Sequence, residues 1–275
     1  MSIKKLIDTH THVQFHAFKD DADEVIKRAL DAGIGMINVG TQKDTSVNAI
    51  ALAEKHEGVY ATVGLHPIHT EKSHHDEKEL GGDTTFTSRG EELDFEFYKK
   101  LALHPKVVGI GECGLDYYRL EEYTKEKQKK TFLQQIKLAN EVGKPLMIHC
   151  RNAFDDLISI LQTAHYQLPT SPGVIHFFSG TKDDARALLD LGFSFSFGGV
   201  ITFARDYDEV IEFIPLKNIV FETDAPYVTP APHRGKRNEP LYVQEVAKKM
   251  AELKAIRVAE IEYITTSNAK KIFGI

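Results

Sequence analysis

Lys5-Leu6-Ile7-Asp8-Thr9-His10-Thr11-His12 opens as an apolar extended run and ends in two histidines. Side chains alternate along a strand, so His10 and His12 face one way. Asp20–Ala32 follows, with Ala22, Val25, Ile26, Ala29 and Leu30 at helical spacing. The same unit recurs along the chain. Strands are predicted at Lys5–Thr9, Gly35–Val39, Val59–Val63, Val107–Gly111, Pro145–Ile148, Gly173–His176, Phe193–Phe197 and Ile219–Glu222. Helical patterns fall at Asp20–Ala32, Asp44–Glu57, Glu91–Leu103, Lys125–Val142, Ala153–His165, Lys182–Leu191, Asp206–Phe213, Pro240–Leu253 and Val258–Ile272. Strands alternating with helices predict an α/β fold, a TIM (β/α)8 barrel, in preference to an open doubly wound sheet. The near-continuous apolar runs fit parallel strands buried on both faces.

The 275 residues suit one barrel domain over 1–275, since such barrels take about 250 residues. No stretch reaches the roughly 20 apolar residues of a membrane span. Met1–Asp8 has no signal-peptide pattern. Two cysteines, Cys113 and Cys150, cannot form a disulfide framework, and a cytoplasmic monomer is expected. Both follow candidate ligands directly, and alternation turns them outward as buried fillers. A net charge of −6 excludes a protein that coats nucleic acid by bulk charge.

Several strand ends carry groups that are costly to bury. Glu112 follows Val107–Gly111, His149 follows Pro145–Ile148, His176 ends Val174-Ile175 and Asp224 lies just past Ile219–Glu222. In a parallel barrel these ends share one rim, where barrel enzymes hold their active sites. Buried carboxylates are normally paired or metal-bound. Four imidazoles and two carboxylates therefore predict two divalent ions. His10, His12 and Asp224 hold one, His149 and His176 the other, and Glu112 bridges them. Such a pair shares a water and clamps an anionic oxygen. Asp224 has lone pairs free to take the water's proton, which makes Asp224 and Glu112 the catalytic carboxylates. Mixed nitrogen and oxygen donors suit zinc, manganese, cobalt or iron better than magnesium. Around this set, His66, Arg151, Tyr117 and Arg234 are expected to contact substrate. Arg234 belongs to the basic run His233-Arg234-Gly235-Lys236-Arg237, read as a phosphate grip. Glu222, two residues before Asp224, is expected in a structural ion pair.

The blocks Asp8–His12, Gly64-Leu65-His66-Pro67, Gly111–Tyr118, His149-Cys150-Arg151, His176–Gly180 and Glu222–Tyr227 resemble the TatD family of metal-dependent deoxyribonucleases. The resemblance spans about residues 3–273 in the family's order, and Ser267-Asn268-Ala269 is similar to its closing motif. It implies an amidohydrolase-superfamily barrel that hydrolyses DNA phosphodiesters, often from the 3′ end, through a metal-activated water. It implies the same six metal ligands, a catalytic Asp224 and a His66 near the substrate, with magnesium, manganese or zinc as the cofactor ions. DNA, single-stranded or at 3′ ends, is the expected partner. The segment His69–Gly90 departs from the family in length and reads as a flexible loop beside the mouth, with His69, His74 and His75 in solvent. Two rival functions use the same ligands: an amidohydrolase or deaminase that cuts C–N bonds, and a non-catalytic metal-stabilised binding protein.

Overall fold

In the computed structural model, residues 5–72, 74–75, 86–118, 122–164 and 168–275 are described. The strands are β1 (Leu6–Thr11), β2 (Ile34–Val39), β3 (Val59–Val63), β4 (Val107–Asp116), β5 (Leu146–Arg151), β6 (Gly173–Ile175), β7 (Ser194–Phe197) and β8 (Ile219–Phe221). They close into a parallel barrel in the order β1-β8-β7-β6-β5-β4-β3-β2, so the open-sheet alternative is excluded.

The helices among the described residues are α1 (Ala22–Asp31), α2 (Lys43–Lys55), α3 (Phe95–Ala102), α4 (Glu122–Val142), α5 (Phe154–Thr163), α6 (Lys182–Asp190), α7 (Asp208–Phe213), α8 (Val243–Lys254) and α9 (Val258–Phe273). α1 buries the stripe Val25, Ile26 and Ala29 and stops before Gly33, whose φ is +79°. Two helices start later than their patterns suggest. The Asp94 carboxylate accepts the Phe97 N–H at 3.1 Å and caps α3 there. Pro240–Tyr242 forms a 3-10 turn ahead of α8.

Ile7, Ile37, Val39, Val108, Met147, Val174 and Val220 fill the barrel interior, and Ala269 and Phe273 of α9 pack against them. Asn268 pins α9 to the start of β8, donating to the carbonyls of Leu216 at 2.9 Å and Ile219 at 2.8 Å. A larger apolar layer lies between the strands and the helices.

After β3 comes a 3-10 turn, Pro67–His69. A short antiparallel pair, His74–His75 with Phe86–Thr87, replaces the expected irregular run. Residues 73 and 76–85 of the expected flexible loop lie outside the described residues, as do the side chains of His74 and His75. His69 is buried, against the expectation of a solvated side chain. The 3-10 turn draws it down onto the barrel mouth, where it lines the cavity described below.

Candidate metal centre

Strand parity builds the site. On β5, Met147 fills the barrel interior, and His149 and Arg151 lie two and four residues further along the same face. Val174 and His176 keep the same relation at β6, as do Val220, Glu222 and Asp224 at β8. β1 shifts register against β2 between Asp8 and Thr11, so Ile7 enters the interior cluster while His10 and His12 also face the mouth. β4 shifts against β5 between Ile110 and Cys113, around Glu112. Glycines make that approach possible. A Cβ on Gly111, at φ +151°, would stand 2.4 Å from the Met147 carbonyl oxygen, and one on Gly114, at φ +131°, 2.0 Å from that of His149.

All six expected ligands converge. His10 Nε2 and His12 Nε2 lie 3.1 Å apart. Glu112 Oε2 faces them at 3.4 and 3.7 Å. Asp224 Oδ1 faces them at 3.8 and 3.5 Å. The other carboxylate oxygen, Glu112 Oε1, faces a second set: His66 Nε2 at 3.1 Å, His149 Nδ1 at 3.2 Å and His176 Nε2 at 3.2 Å. Among the described residues, three overlapping donor groups could hold a metal ion: His10, His12 and Glu112; His10, His176 and Glu222; and His66, Glu112 and His149, so Glu112 belongs to two of the three.

The outer partners show which nitrogens fit a metal. A carbonyl oxygen only accepts, so His12 donates Nδ1–H to Val39 O at 2.8 Å and leaves the Nε2 lone pair aimed inward. His149 is held by Asp116 Oδ2 at 2.9 Å through Nε2, which leaves Nδ1 facing Glu112. His176 Nδ1 lies 3.3 Å from Glu222, which leaves Nε2 inward. This is the carboxylate–histidine arrangement that fixes metal-binding imidazoles. His66 is the reverse. Its Nδ1 accepts the Ile68 N–H at 3.2 Å, so in the neutral ring Nε2 carries the proton and donates to Glu112. His66 fits a hydrogen-bond donor, not a ligand.

Electrostatics agree. Burial works to raise the Glu112 pKa, but His66, His10 and His176 overcome it and hold the carboxyl well below its usual range. Burial works to lower the pKa of His149, but hydrogen bonds to Asp116 and Glu112 raise it to about 9. Against the same effect of burial, Glu222 and Glu112 raise that of His176. Burial and the neighbouring His176 take His10 down to about 3. At neutral pH the second cluster therefore attracts positive charge, which protons supply here and a divalent ion could supply in their place.

These groups line a cavity of about 480 Å³ with Arg151, Phe15, His69 and Tyr227 among its walls. Asn152, Phe177, Asp224 and Val228, all on this lining, have φ between 45° and 55°. For a β-branched residue such as Val228 that conformation is strained, a feature concentrated at functional sites.

The remaining candidates divide. Arg151 lines the cavity with its guanidinium 3.6 Å from the centre of the Tyr118 ring. Tyr117, expected at the substrate, does not line it. Its hydroxyl donates to Asp156 of α5 at 2.7 Å, and Lys125 covers its ring. Arg234 lines an adjoining cavity instead. Glu222 is the buried ion-pair partner expected, with His176, and also accepts the Phe177 N–H at 2.9 Å and the Ser196 hydroxyl. Cys113 and Cys150 are both buried in the apolar layer between strands and helices, as expected, and Cys150 also borders the cavity.

Sequence reading missed three supports. Asp116 holds His149. Asp8 accepts Thr223 N–H at 2.9 Å and ties β1 to the Asp224 turn. Asn238 braces that turn through the carbonyls of Thr223 and Tyr227.

A closed parallel barrel whose rim carries two His/Glu clusters around a shared carboxylate defines the chain as a metal-dependent hydrolase. A family model for the TatD related DNases matches residues 7–274, and the chain belongs to that family. It is 39% identical to the uncharacterized metal-dependent hydrolase YabD of Bacillus subtilis, over 98% of this chain and 99% of that one. It is 34% identical to the 3′-5′ ssDNA/RNA exonuclease TatD of Erwinia billingiae, with 98% and 99% covered. Among solved structures, the TatD homologue YJJV of Escherichia coli K12 superposes with a TM-score of 0.85 at 29% identity, with 99% of each chain covered.

Proposed function

We propose that this chain hydrolyses phosphodiester bonds of DNA as a 3′-5′ exodeoxyribonuclease acting on single-stranded ends. The observation that carries this reading is the orientation of Glu112, one oxygen toward each donor set, in a cavity that also presents the Arg151 guanidinium. His10, His12 and Asp224 would hold one divalent ion and His149 and His176 a second, with Glu112 facing both sets. Such ions would supply a more acidic water and neutralise charge on the phosphate oxygens. The imidazole-rich donor set favours manganese or zinc over magnesium.

The protein's own groups do the rest. Asp224 is the least buried of the carboxylates here and accepts the proton of the attacking water. The new O–P bond forms as the P–O bond to the terminal nucleoside's neighbour breaks, and the departing alkoxide takes up the proton that Asp224 accepted. Arg151 pairs with a non-bridging phosphate oxygen. The His66 Nε2–H, which Glu112 accepts here, would pass to the oxygens that gather charge when substrate is bound. The Erwinia relative bears the name of a ssDNA/RNA exonuclease, which supports a strand end as substrate. The cavity also adjoins a second, larger one, room that a polymer can use and a closed deaminase pocket lacks.

The test is product analysis on 3′- and 5′-labelled single-stranded DNA with manganese, magnesium and zinc. Mononucleotides should leave from the 3′ end, and Asp224→Asn should cut turnover by about 10²–10⁴ with the fold intact. No cleavage with any of the three metals would refute the nuclease reading.

A further inference from the structure

Beside the metal cavity lies a second one of about 1040 Å³, more than twice its volume. The two share Phe15, Thr41, His69, Tyr227 and Val228 as a common wall. The basic run lines the second cavity through Arg234, Lys236 and Arg237, and Arg89 and Asp44 line it as well. These cations are not equivalent. Arg237 pairs with Asp21, and Arg89 with Asp44 at 2.7 Å. Arg234 and Lys236 are exposed, and neither has a carboxylate partner among the described residues. Arg234 is nevertheless fixed in place. Its guanidinium lies 3.9 Å from the centre of the Phe203 ring, and Nη1 donates to the Thr229 carbonyl at 3.1 Å. A held guanidinium beside an unpaired ammonium is suited to a phosphate group.

Between these cations and the metal centre stands an aromatic step. Phe15 lies against His12, the ring centres 4.4 Å apart and the planes within 12°. His16 and Tyr227 continue the lining. Aromatic rings backed by cations make the combination that single strands use, bases on the rings and phosphates on the cations.

We propose that the second cavity is the subsite for the nucleotides adjoining the one at the metals, with Arg234 and Lys236 binding the phosphate of a neighbouring linkage. The ligand is a single-stranded oligonucleotide, and the subsite makes the enzyme measure strand length. This rests on the phosphodiesterase reading of the metal centre.

The experiment compares binding of fluorescein-labelled, hydrolysis-resistant phosphorothioate oligothymidylates of two and four nucleotides to the manganese-loaded full chain. The gain from two to four nucleotides should be on the order of tenfold in the unaltered protein and under about twofold in R234A/K236A. Loss of two phosphate contacts should flatten the slope of log affinity against log salt for the longer strand by about 1.4. Lys236→Ala alone removes an exposed side chain and should flatten it by about 0.7, which guards against a folding defect at Arg234. No length gain in the unaltered protein, or a full gain kept by the double variant, overturns the proposal. Hydrolysis of bis(p-nitrophenyl) phosphate without a length gain leaves the phosphodiesterase reading standing and removes the subsite. Length-dependent binding with no hydrolysis of any diester does the reverse.

Discussion

Asp116→Asn tests whether the second donor set is held by its outer partner. Asp116 is buried, and its two oxygens have separate tasks. Oδ1 accepts the Tyr118 N–H at 2.8 Å, and Oδ2 holds His149 Nε2 at 2.9 Å. Asparagine is the same size and keeps its oxygen for Tyr118, so the β4 end stays folded. Its amide nitrogen then faces His149 Nε2. An N–H donor there needs a lone pair on Nε2, which moves the imidazole proton to Nδ1, the nitrogen 3.2 Å from Glu112. The ligand atom is thereby blocked. Removing an outer partner of this kind costs about 10–100-fold in metal affinity, or about 1.4–2.7 kcal/mol. Equilibrium dialysis against manganese should show two ions per chain in the unaltered protein. In the variant one should be retained and the other weakened by that factor. Turnover should fall at limiting manganese and recover at excess, as a positioning residue requires. Two ions bound with unaltered affinity would refute the tautomer argument, and loss of both would show that the sets are not separable as drawn.

His66→Ala should keep both ions, because its inward nitrogen bears the proton, yet lower kcat/KM by about 10²–10³ through the lost donor; loss of an ion on dialysis would make His66 a ligand after all. Metal affinity should depend on pH. His149 is raised to about 9, so a proton competes with the ion below that value. Manganese affinity should therefore climb about tenfold per pH unit for each proton displaced between pH 7 and 9, and level off above; a flat profile over that interval would contradict the raised value. Without added metal the sign reverses. The raised pKa stabilises the fold fully below about 6.5, and the benefit is lost as pH rises through about 9, which a melting series across that range would detect.

The barrel and the convergence of its donor residues on one rim were legible because both rest on period-two alternation. Parity from the apolar residues carries His149 from Met147, His176 from Val174 and Asp224 from Val220 onto one face without any tertiary information. What stayed hidden depended on local breaks in that rule. Gly111 reads as the end of a strand, yet β4 runs on to Asp116 because glycine tolerates the register shift that its neighbours impose. Ending the strand at Gly111 removed Asp116 from view, although it stands an even four residues beyond Glu112 and so on the same face.

The sorting of imidazoles was out of reach for a different reason. His66 follows β3 and His149 lies within β5, and both stand within 3.2 Å of the same Glu112 oxygen. Distance to the carboxylate cannot separate them. What does is the atom on the far side of each ring: an amide N–H that only donates, from Ile68, and a carboxylate that only accepts, from Asp116. The first arises because the chain turns into a 3-10 helix at Pro67, the second because a glycine-rich strand runs five residues longer than its apolar stretch. The donor or acceptor character of a catalytic histidine is thus set by backbone geometry two residues away or a strand away. A motif that specifies only the histidine leaves that character open.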